Sequence, residues 1–294
     1  MSNLRPMLAA EAILGQITYP KLVSPKLNGV RGLVINGVLM ARSLKKIPNQ
    51  YCQYLFSRER LTGFDGELVV GPFNAEEVFT ESTSGVMSQE GTPDVSFWVF
   101  DFFMEPNMRL VDRIKALKAA YHSALQANVV LVPYKLIHSD TELKAFDKWA
   151  QATGYEGTVL RDPNANYKFG RSTEKEQGFL RYVEWLTSEA VILRIDERMH
   201  NANPQKQNEL GYAKRSSHKD NKIPMGVAGS MLVRDLKTKV EFNVTIGGDE
   251  LQADFWKNRK GYPGKIIRYK FRAPVKGLTP RFPILEGFRS KLDR

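Results

Sequence analysis

Cysteine occurs once in 294 residues, as Cys52. A single thiol cannot close an internal disulfide, so the fold must rest on its apolar core and polar pairing, as suits a reducing cytosol. Cys52 itself reads as a small semi-apolar filler rather than a reactive thiol. Histidine is almost as scarce, at four, and His200 and His218 stand apart from any cysteine, which argues against a zinc site. Long hydrophobic runs are missing. No stretch approaches the roughly 20 apolar residues of a membrane span, and Met1 to Tyr19 lacks the charged start, long apolar middle and cleavage site of a secretory leader. The chain is therefore expected to stay in the compartment where it is made. There is no internal repeat and no extended low-complexity tract. Acid is in deficit: 32 Asp and Glu face 43 Lys and Arg, giving a formal charge of +11 and a pI near 9.6. Such a surface attracts polyanions, and nucleic acid is the expected partner ahead of anionic lipid.

What is present is enough for one large core or two modest ones, and two domains are expected. From Tyr19 to about Leu186, helical spacing appears over roughly Asp112 to Ala127 and over Asp140 to Thr153. The second stretch opens with Ser139-Asp140-Thr141-Glu142, residues suited to capping free amides and to the positive end of a helix. Strand patterns occupy Arg31 to Ile35, Gly66 to Val70, Val95 to Phe102, Val129 to Leu136 and Gly157 to Arg161. Helices and strands interleave without a strict βαβ repeat, so an α+β core is expected. After Trp185 the texture changes. Glu189 to Ile195, Met231 to Asp235, Val240 to Ile246 and Lys265 to Phe271 read as β segments, with one short helix over Asp249 to Asn258. That content suits a five-stranded OB-type barrel. Met199 to Pro224 is too polar to add much core and is expected to be a long exposed loop or flap.

Four short motifs carry the chemistry: Lys26-Leu27-Asn28-Gly29-Val30-Arg31, Phe64-Asp65-Gly66-Glu67-Leu68, Phe97-Trp98-Val99-Phe100-Asp101 and Glu156-Gly157-Thr158-Val159-Leu160-Arg161. Each alone is common, but their order and spacing are not. Together they supply a nucleophilic amine, two carboxylates for a divalent metal, an aromatic for a purine and cations for phosphates. From Lys257 to Arg294 there are twelve Lys or Arg against two acids, Glu286 and Asp293. The segment Lys206 to Lys222 adds five cations, including Lys206, Lys214, Arg215 and Lys219, among Asn and Ser. This density suits a sequence-independent grip on a phosphate backbone.

The four motifs resemble those of the covalent nucleotidyltransferases, which include ATP-dependent DNA ligases, RNA ligases and mRNA capping enzymes. The run from Glu156 to Pro163, continuing through Tyr167-Lys168 to Gly170-Arg171-Ser172, is similar to the nucleotide-binding run of small DNA ligases. Pro280-Arg281-Phe282-Pro283 with Gly287-Phe288-Arg289 resembles their C-terminal motif. The resemblance covers nearly the whole chain and is strongest to the compact ATP-dependent DNA ligases of bacteriophages.

It implies an α+β nucleotidyltransferase domain of the ATP-grasp-like ligase type over residues 1–186, then a small β-barrel OB-fold domain over 187–294. It implies ATP and Mg²⁺ as cofactors, nicked duplex DNA as partner, a monomeric state, and the cytoplasm of a bacterium or bacterial host cell. Lys26 matches the lysine that takes AMP. Arg31, Glu67, Phe100, Glu156, Arg161, Arg181, Arg281 and Arg289 match nucleotide-contacting positions, with Glu67 and Glu156 as metal or ribose contacts and Arg281 and Arg289 acting mainly in the first step. Arg42 matches a position that holds nick phosphates. Three positions depart from the pattern: Asn28 where DNA ligases usually have aspartate, Ser24 where many relatives have glutamate, and Val183 in place of the second lysine of a pair whose first member is Arg181. An RNA ligase or capping-type enzyme, and a catalytically silent nucleic-acid-binding protein, remain alternative readings.

Overall fold

A computed structural model describes residues 4–124, 127–207, 213–216, 221–272 and 277–289. The chain divides into two compact units, one reaching Val183 and the other beginning at Glu184. The first unit runs, in chain order, β1 (Ala10–Glu11), β2 (Lys21–Lys26), β3 (Val30–Ile35), β4 (Val38–Ala41), α1 (Gln50–Phe56), β5 (Phe64–Val70), α2 (Val78–Met87), β6 (Val95–Phe102), α3 (Leu110–Ala124), β7 (Val129–Leu131), β8 (Lys135–Ile137), α4 (Asp140–Thr153), β9 (Gly157–Arg161) and β10 (Phe179–Tyr182).

Two five-stranded sheets result, in the orders β1-β10-β9-β2-β8 and β4-β3-β5-β6-β7. Most pairings are antiparallel; β1 with β10 and β6 with β7 are parallel. Strand β6 explains how one sheet serves both core and site. Side chains alternate across a strand, so Val95, Phe97, Val99 and Asp101 are buried while Ser96, Trp98, Phe100 and Phe102 are half-buried on the other face. Phe97 packs with Phe56, Phe64 and Leu68 in the main core of this unit. Burying such side chains contributes roughly 1.5–3 kcal/mol each.

Helix α4 begins at Ser139, whose hydroxyl accepts from the Glu142 amide at 3.2 Å, while Glu142 Oε2 accepts from the His138 amide at 3.1 Å. It ends at Gly154, whose φ of 98° is the left-handed turn that glycine adopts without strain. That turn leads directly to Glu156 and β9. The expected single strand over Val129 to Leu136 is instead β7 and β8, which join different sheets; Pro133 between them has no amide to continue a ladder. The first expected helix lies a little earlier, at Leu110–Ala124.

The second unit contains β11 (Leu186–Asn201), β12 (Gln205–Gln207), β13 (Ala213–Arg215), β14 (Lys222–Asp235), β15 (Glu241–Thr245), α5 (Asp249–Lys257), β16 (Ile266–Arg272) and β17 (Arg281–Phe288). Strands β11, β14, β15, β17 and β16 close into a barrel around Ile192, Met231, Val233, Val244, Ile267 and Tyr269. The segment from Met199 to Pro224, expected to be all loop, is partly ordered. The β11–β14 ladder continues out to Asn201 opposite Lys222, and β12 and β13 form a two-stranded sheet. Amide side chains replace an apolar core at its base, since each donates and accepts at once. Asn203, 3% exposed, donates to Asn201 Oδ1 at 2.7 Å and to the Ser216 carbonyl at 3.0 Å, and accepts from Asn221 at 3.0 Å.

Candidate functional site

A cavity of about 230 Å³ opens between the two sheets of the first unit. Lys26 reaches it from β2, Arg31 from β3, Glu67 from β5, Phe100 from β6 and Arg161 from β9. Register explains how distant motifs converge. Lys26 lies opposite Gly157 across the β2–β9 pair, Arg31 opposite Glu67 across β3–β5, and Glu67 opposite Trp98 across β5–β6. The turn Leu27-Asn28-Gly29 carries the chain from one sheet to the other. A Cβ on Gly29 would lie 2.3 Å from the Leu68 carbonyl oxygen, so this close passage over β5 requires glycine.

The Lys26 amine forms an ion pair with Glu156 Oε2, and the side chains are 27% and 23% exposed, so both stay reachable. The Glu156 amide donates to the Lys26 carbonyl at 3.0 Å, fixing the two backbones side by side. Glu67 is half-buried. Burial, aided by the charges of Glu156 and Asp65, pushes its carboxyl up to about 7 against the opposing pull of Arg31 and Lys26.

Arg31, expected among the nucleotide contacts, lines the cavity, but its fork is committed to Asp65, with Nη2 donating to Oδ2 at 2.7 Å. Its guanidinium lies 4.6 Å from the Phe100 ring centroid. Burial disfavours the Arg31 charge; the Asp65 carboxylate outweighs that and raises its pKa. Asp65 also accepts from the Tyr167 hydroxyl at 2.6 Å. Arg161, which lines the cavity, is 3% exposed and pairs with the fully buried Asp101.

Arg42 is exposed and lines the cavity. Arg181, also lining it, meets Glu11 at 3.2 Å. Ser24, one of the departures, is 3% exposed and contributes to the wall. Asp65, Asp101, Arg113 and Tyr167 were not assigned from sequence. The period-two pattern of β6 carried a signal for Asp101, since it shares a face with Val95, Phe97 and Val99. Arg171, whose guanidinium donates to the Ala9 carbonyl at 2.7 Å, also lines the cavity.

The remaining expected residues lie in the second unit. Arg281 begins β17 with its guanidinium 5.5 Å from the Phe282 ring centroid. Arg289 follows β17 and meets Glu189 at 3.1 Å. Arg215, expected to contact DNA, donates to the carbonyls of Asn201 at 3.0 Å and Asn203 at 3.2 Å. Lys206 and Lys214 lie on β12 and β13, with their side chains outside the described set, and Lys219 lies outside the described residues.

Among the described residues no group of three or more His, Cys, Asp and Glu could hold a metal. Mg²⁺ does not require one, because it keeps several waters and takes one or two carboxylates together with substrate phosphates. Glu67 and Glu156, close enough for the Glu156 charge to act on Glu67, fit that demand.

No family model matches the chain, and no curated protein matches it. Solved structures do. Two structures of Chlorella virus DNA ligase-adenylate share 26% and 27% identity with it at a TM-score of 0.57, covering 98% and 97% of this chain and 99% of theirs. A Lig E DNA ligase, at 22% identity, has the same fold with a TM-score of 0.68 and covers 97% of this chain and 99% of its own. The match to the Chlorella virus enzyme runs the length of both chains rather than over one shared module, so it is to a whole compact ATP-dependent DNA ligase that this chain is similar.

Proposed function

We propose that this chain seals 5′-phosphate/3′-hydroxyl nicks in duplex DNA, using ATP through a lysyl-AMP intermediate on Lys26. The observation that carries the reading is the reachable Lys26 amine, in contact with Glu156 and sharing a cavity with Glu67, Phe100 and three arginines at positions 42, 171 and 181. An amine attacks phosphorus only as the free base. Glu156, already in contact with Nζ, is placed to hold that proton as it leaves. The N–P bond forms, the bond to the pyrophosphate oxygen breaks, and pyrophosphate departs. AMP then passes from Lys26 to the 5′-phosphate of the nick, and the 3′-hydroxyl displaces AMP to form the phosphodiester.

In each step charge builds on phosphoryl oxygens, so fixed cations carry much of the catalysis. Arg42 and Arg181 are assigned to that task in the cavity, and Arg281 and Arg289 to the step that releases pyrophosphate. Glu67 and Glu156 would hold Mg²⁺. When bound, the ion neutralises phosphoryl oxygen charge.

The order of the barrel supports an OB domain. Its first strand, β11, pairs with β14 and β16, the third and fifth strands pair in parallel, and helix α5 separates the third from the fourth. A monomer acting on nicks left by replication, repair and recombination is the corresponding role.

The deciding experiment is incubation with labelled ATP and Mg²⁺, followed by sealing of an all-DNA nick. The wild-type chain should carry a covalent AMP label. Lys26→Ala should carry none yet still bind nicked DNA, because only the nucleophile is missing. Labelling of the variant would remove Lys26 from its role.

A further inference from the structure

Leu27 and Tyr155, the chain neighbours of Lys26 and Glu156, belong to one apolar cluster that also holds Phe73, Trp98 and Phe100. The cluster joins the two sheets of the first unit. Leu27 follows β2 and Tyr155 precedes β9 in one sheet, while Trp98 and Phe100 lie on β6 in the other. Phe73, in the connection from β5 to α2, links the two sides. Its ring stacks on Tyr155 with centroids 4.5 Å apart and planes 16° from parallel, and it meets Trp98 edge-on at 5.5 Å and 65°. Trp98 lies opposite Glu67 across the β5–β6 pair, so those two side chains share a face. Phe73 therefore touches both the residue next to Glu156 and the residue across from Glu67.

The Glu156 amide donates to the Lys26 carbonyl at 3.0 Å, and the Tyr155 amide donates to the Ala150 carbonyl of α4 at 2.9 Å. These bonds tie Glu156 to β2 and α4, whereas Glu67 belongs to the other sheet. Across that gap the β5–α2 connection comes close to the turn before Glu156, since a Cβ on Gly154 would lie 2.4 Å from Asn74 Cβ. A ring packed face-on by one aromatic and edge-on by another has a defined seat, which a flexible aliphatic contact does not provide. The seat of Phe73 thus sets how the Glu156 carboxylate, and the Lys26 amine paired with it, stand relative to Glu67. Neither Phe73 nor Tyr155 is among the residues lining the cavity, so both act through their neighbours.

We propose that Phe73 and Tyr155 are positioning residues for AMP transfer to Lys26, their stack holding the Lys26–Glu156 pair in place against Glu67. This rests on the reading of the cavity as the ATP site. The test is single-turnover AMP labelling of Lys26 at saturating ATP, with ATP affinity measured separately at equilibrium without divalent metal. Phe73→Leu and Tyr155→Leu keep an apolar side chain and lose the stack. Each should label on the order of 10- to 100-fold more slowly, the loss expected when a reacting group moves by about an ångström. Metal-free ATP affinity should be unchanged, because the cavity lining is intact.

Tyr155→Phe, which keeps the stacked ring, should label at the wild-type rate. The double variant Phe73→Leu/Tyr155→Leu should be no slower than the slower single, because either change alone removes the stack. Residues that merely stabilise the fold would lower the melting temperature and the labelled fraction, while the folded molecules labelled at the wild-type rate. That result, or rate losses that multiply in the double variant, overturns the proposal. The milder Phe73→Met fills the space with a flexible apolar chain, should show the same slow labelling, and answers the question if a leucine variant does not fold. If the cavity were not the ATP site, the wild-type chain itself would take no label on Lys26, an outcome distinct from equal rates in wild type and variants.

Discussion

Replacing Arg113 with methionine tests whether the first unit depends on its buried charge cluster. Arg113 is 1% exposed and Asp101 0%. Arg113 Nε and Nη2 donate to the two Asp101 oxygens at 2.8 and 3.2 Å, and Nη1 donates to the carbonyls of Met108 at 2.6 Å and Ala165 at 2.9 Å. Methionine fills much of the arginine stem, so the loss is polar rather than a large void. Removing one member of a buried pair costs about 3–5 kcal/mol. The two carbonyls left without this donor add roughly 1 kcal/mol each, and Arg161, still paired with Asp101, offsets part of the sum. A net loss of about 4 kcal/mol follows, a large share of the roughly 5–15 kcal/mol that holds a domain folded.

Urea titrations read by hydrogen exchange of first-unit peptides would measure this loss apart from the barrel's own transition. The variant should also be sensitive to acid. Burial works to raise the Asp101 carboxyl, but Arg161 and Arg113 outweigh it and hold the group below its ordinary value of 3.8. A depressed carboxyl stabilises the fold above its ordinary value, and the contribution disappears as pH falls through the folded value. With one guanidinium gone, that acid loss should begin at higher pH. The double variant Arg113→Met/Asp101→Asn should cost less than the sum of the singles, because each single leaves a buried charge poorly compensated. A loss under about 1 kcal/mol, or additive singles, would refute the argument.

The legible parts of the fold were those in which local pattern and burial agree. Strand β6 occupies Val95–Phe102 and helix α4 occupies Asp140–Thr153, the spans expected from alternation and from the Ser139 cap. Strand β2, which carries Lys26, is not legible in the sequence, because Lys-Leu-Val-Ser-Pro-Lys has no strand-like alternation. Its Lys21 is 1% exposed and donates to the Gln177 carbonyl at 3.0 Å, a partner 156 residues away. The cavity-lining residues Lys26, Glu67, Phe100 and Arg161 were legible as an ordered set of motifs. What holds them was not, because the Asp101–Arg161 and Asp65–Tyr167 pairs join residues 60 and 102 positions apart. Cys52 illustrates the simple case: it is buried, and burial pushes its thiol up to about 12, consistent with an inert filler.

Glu156→Ala should leave melting behaviour nearly unchanged and reduce ATP-dependent sealing by orders of magnitude, because this partly exposed carboxylate contributes little to the core and much to the reacting amine; near-normal sealing would return it to an ordinary surface role. In the metal-free protein the Glu67 carboxyl should titrate near 7 by carbon-detected NMR rather than at its ordinary 4.5. Between those values the folded chain binds more protons here than the unfolded one, so stability falls as pH rises, and Glu67→Gln should abolish that slope. The last prediction concerns the basic segment between β12 and β14. Arg215 spends its guanidinium on the Asn201 and Asn203 carbonyls, so its removal would loosen the base of the segment as well as remove charge. Lys214→Ala/Lys219→Ala is the cleaner perturbation. If these lysines grip DNA phosphates, binding to a nicked duplex should weaken and its logarithmic salt slope should drop by up to about 1.8, at roughly 0.9 per lost contact. AMP labelling of Lys26 should remain near the wild-type level. An unchanged slope with unchanged affinity would assign the grip to other cations.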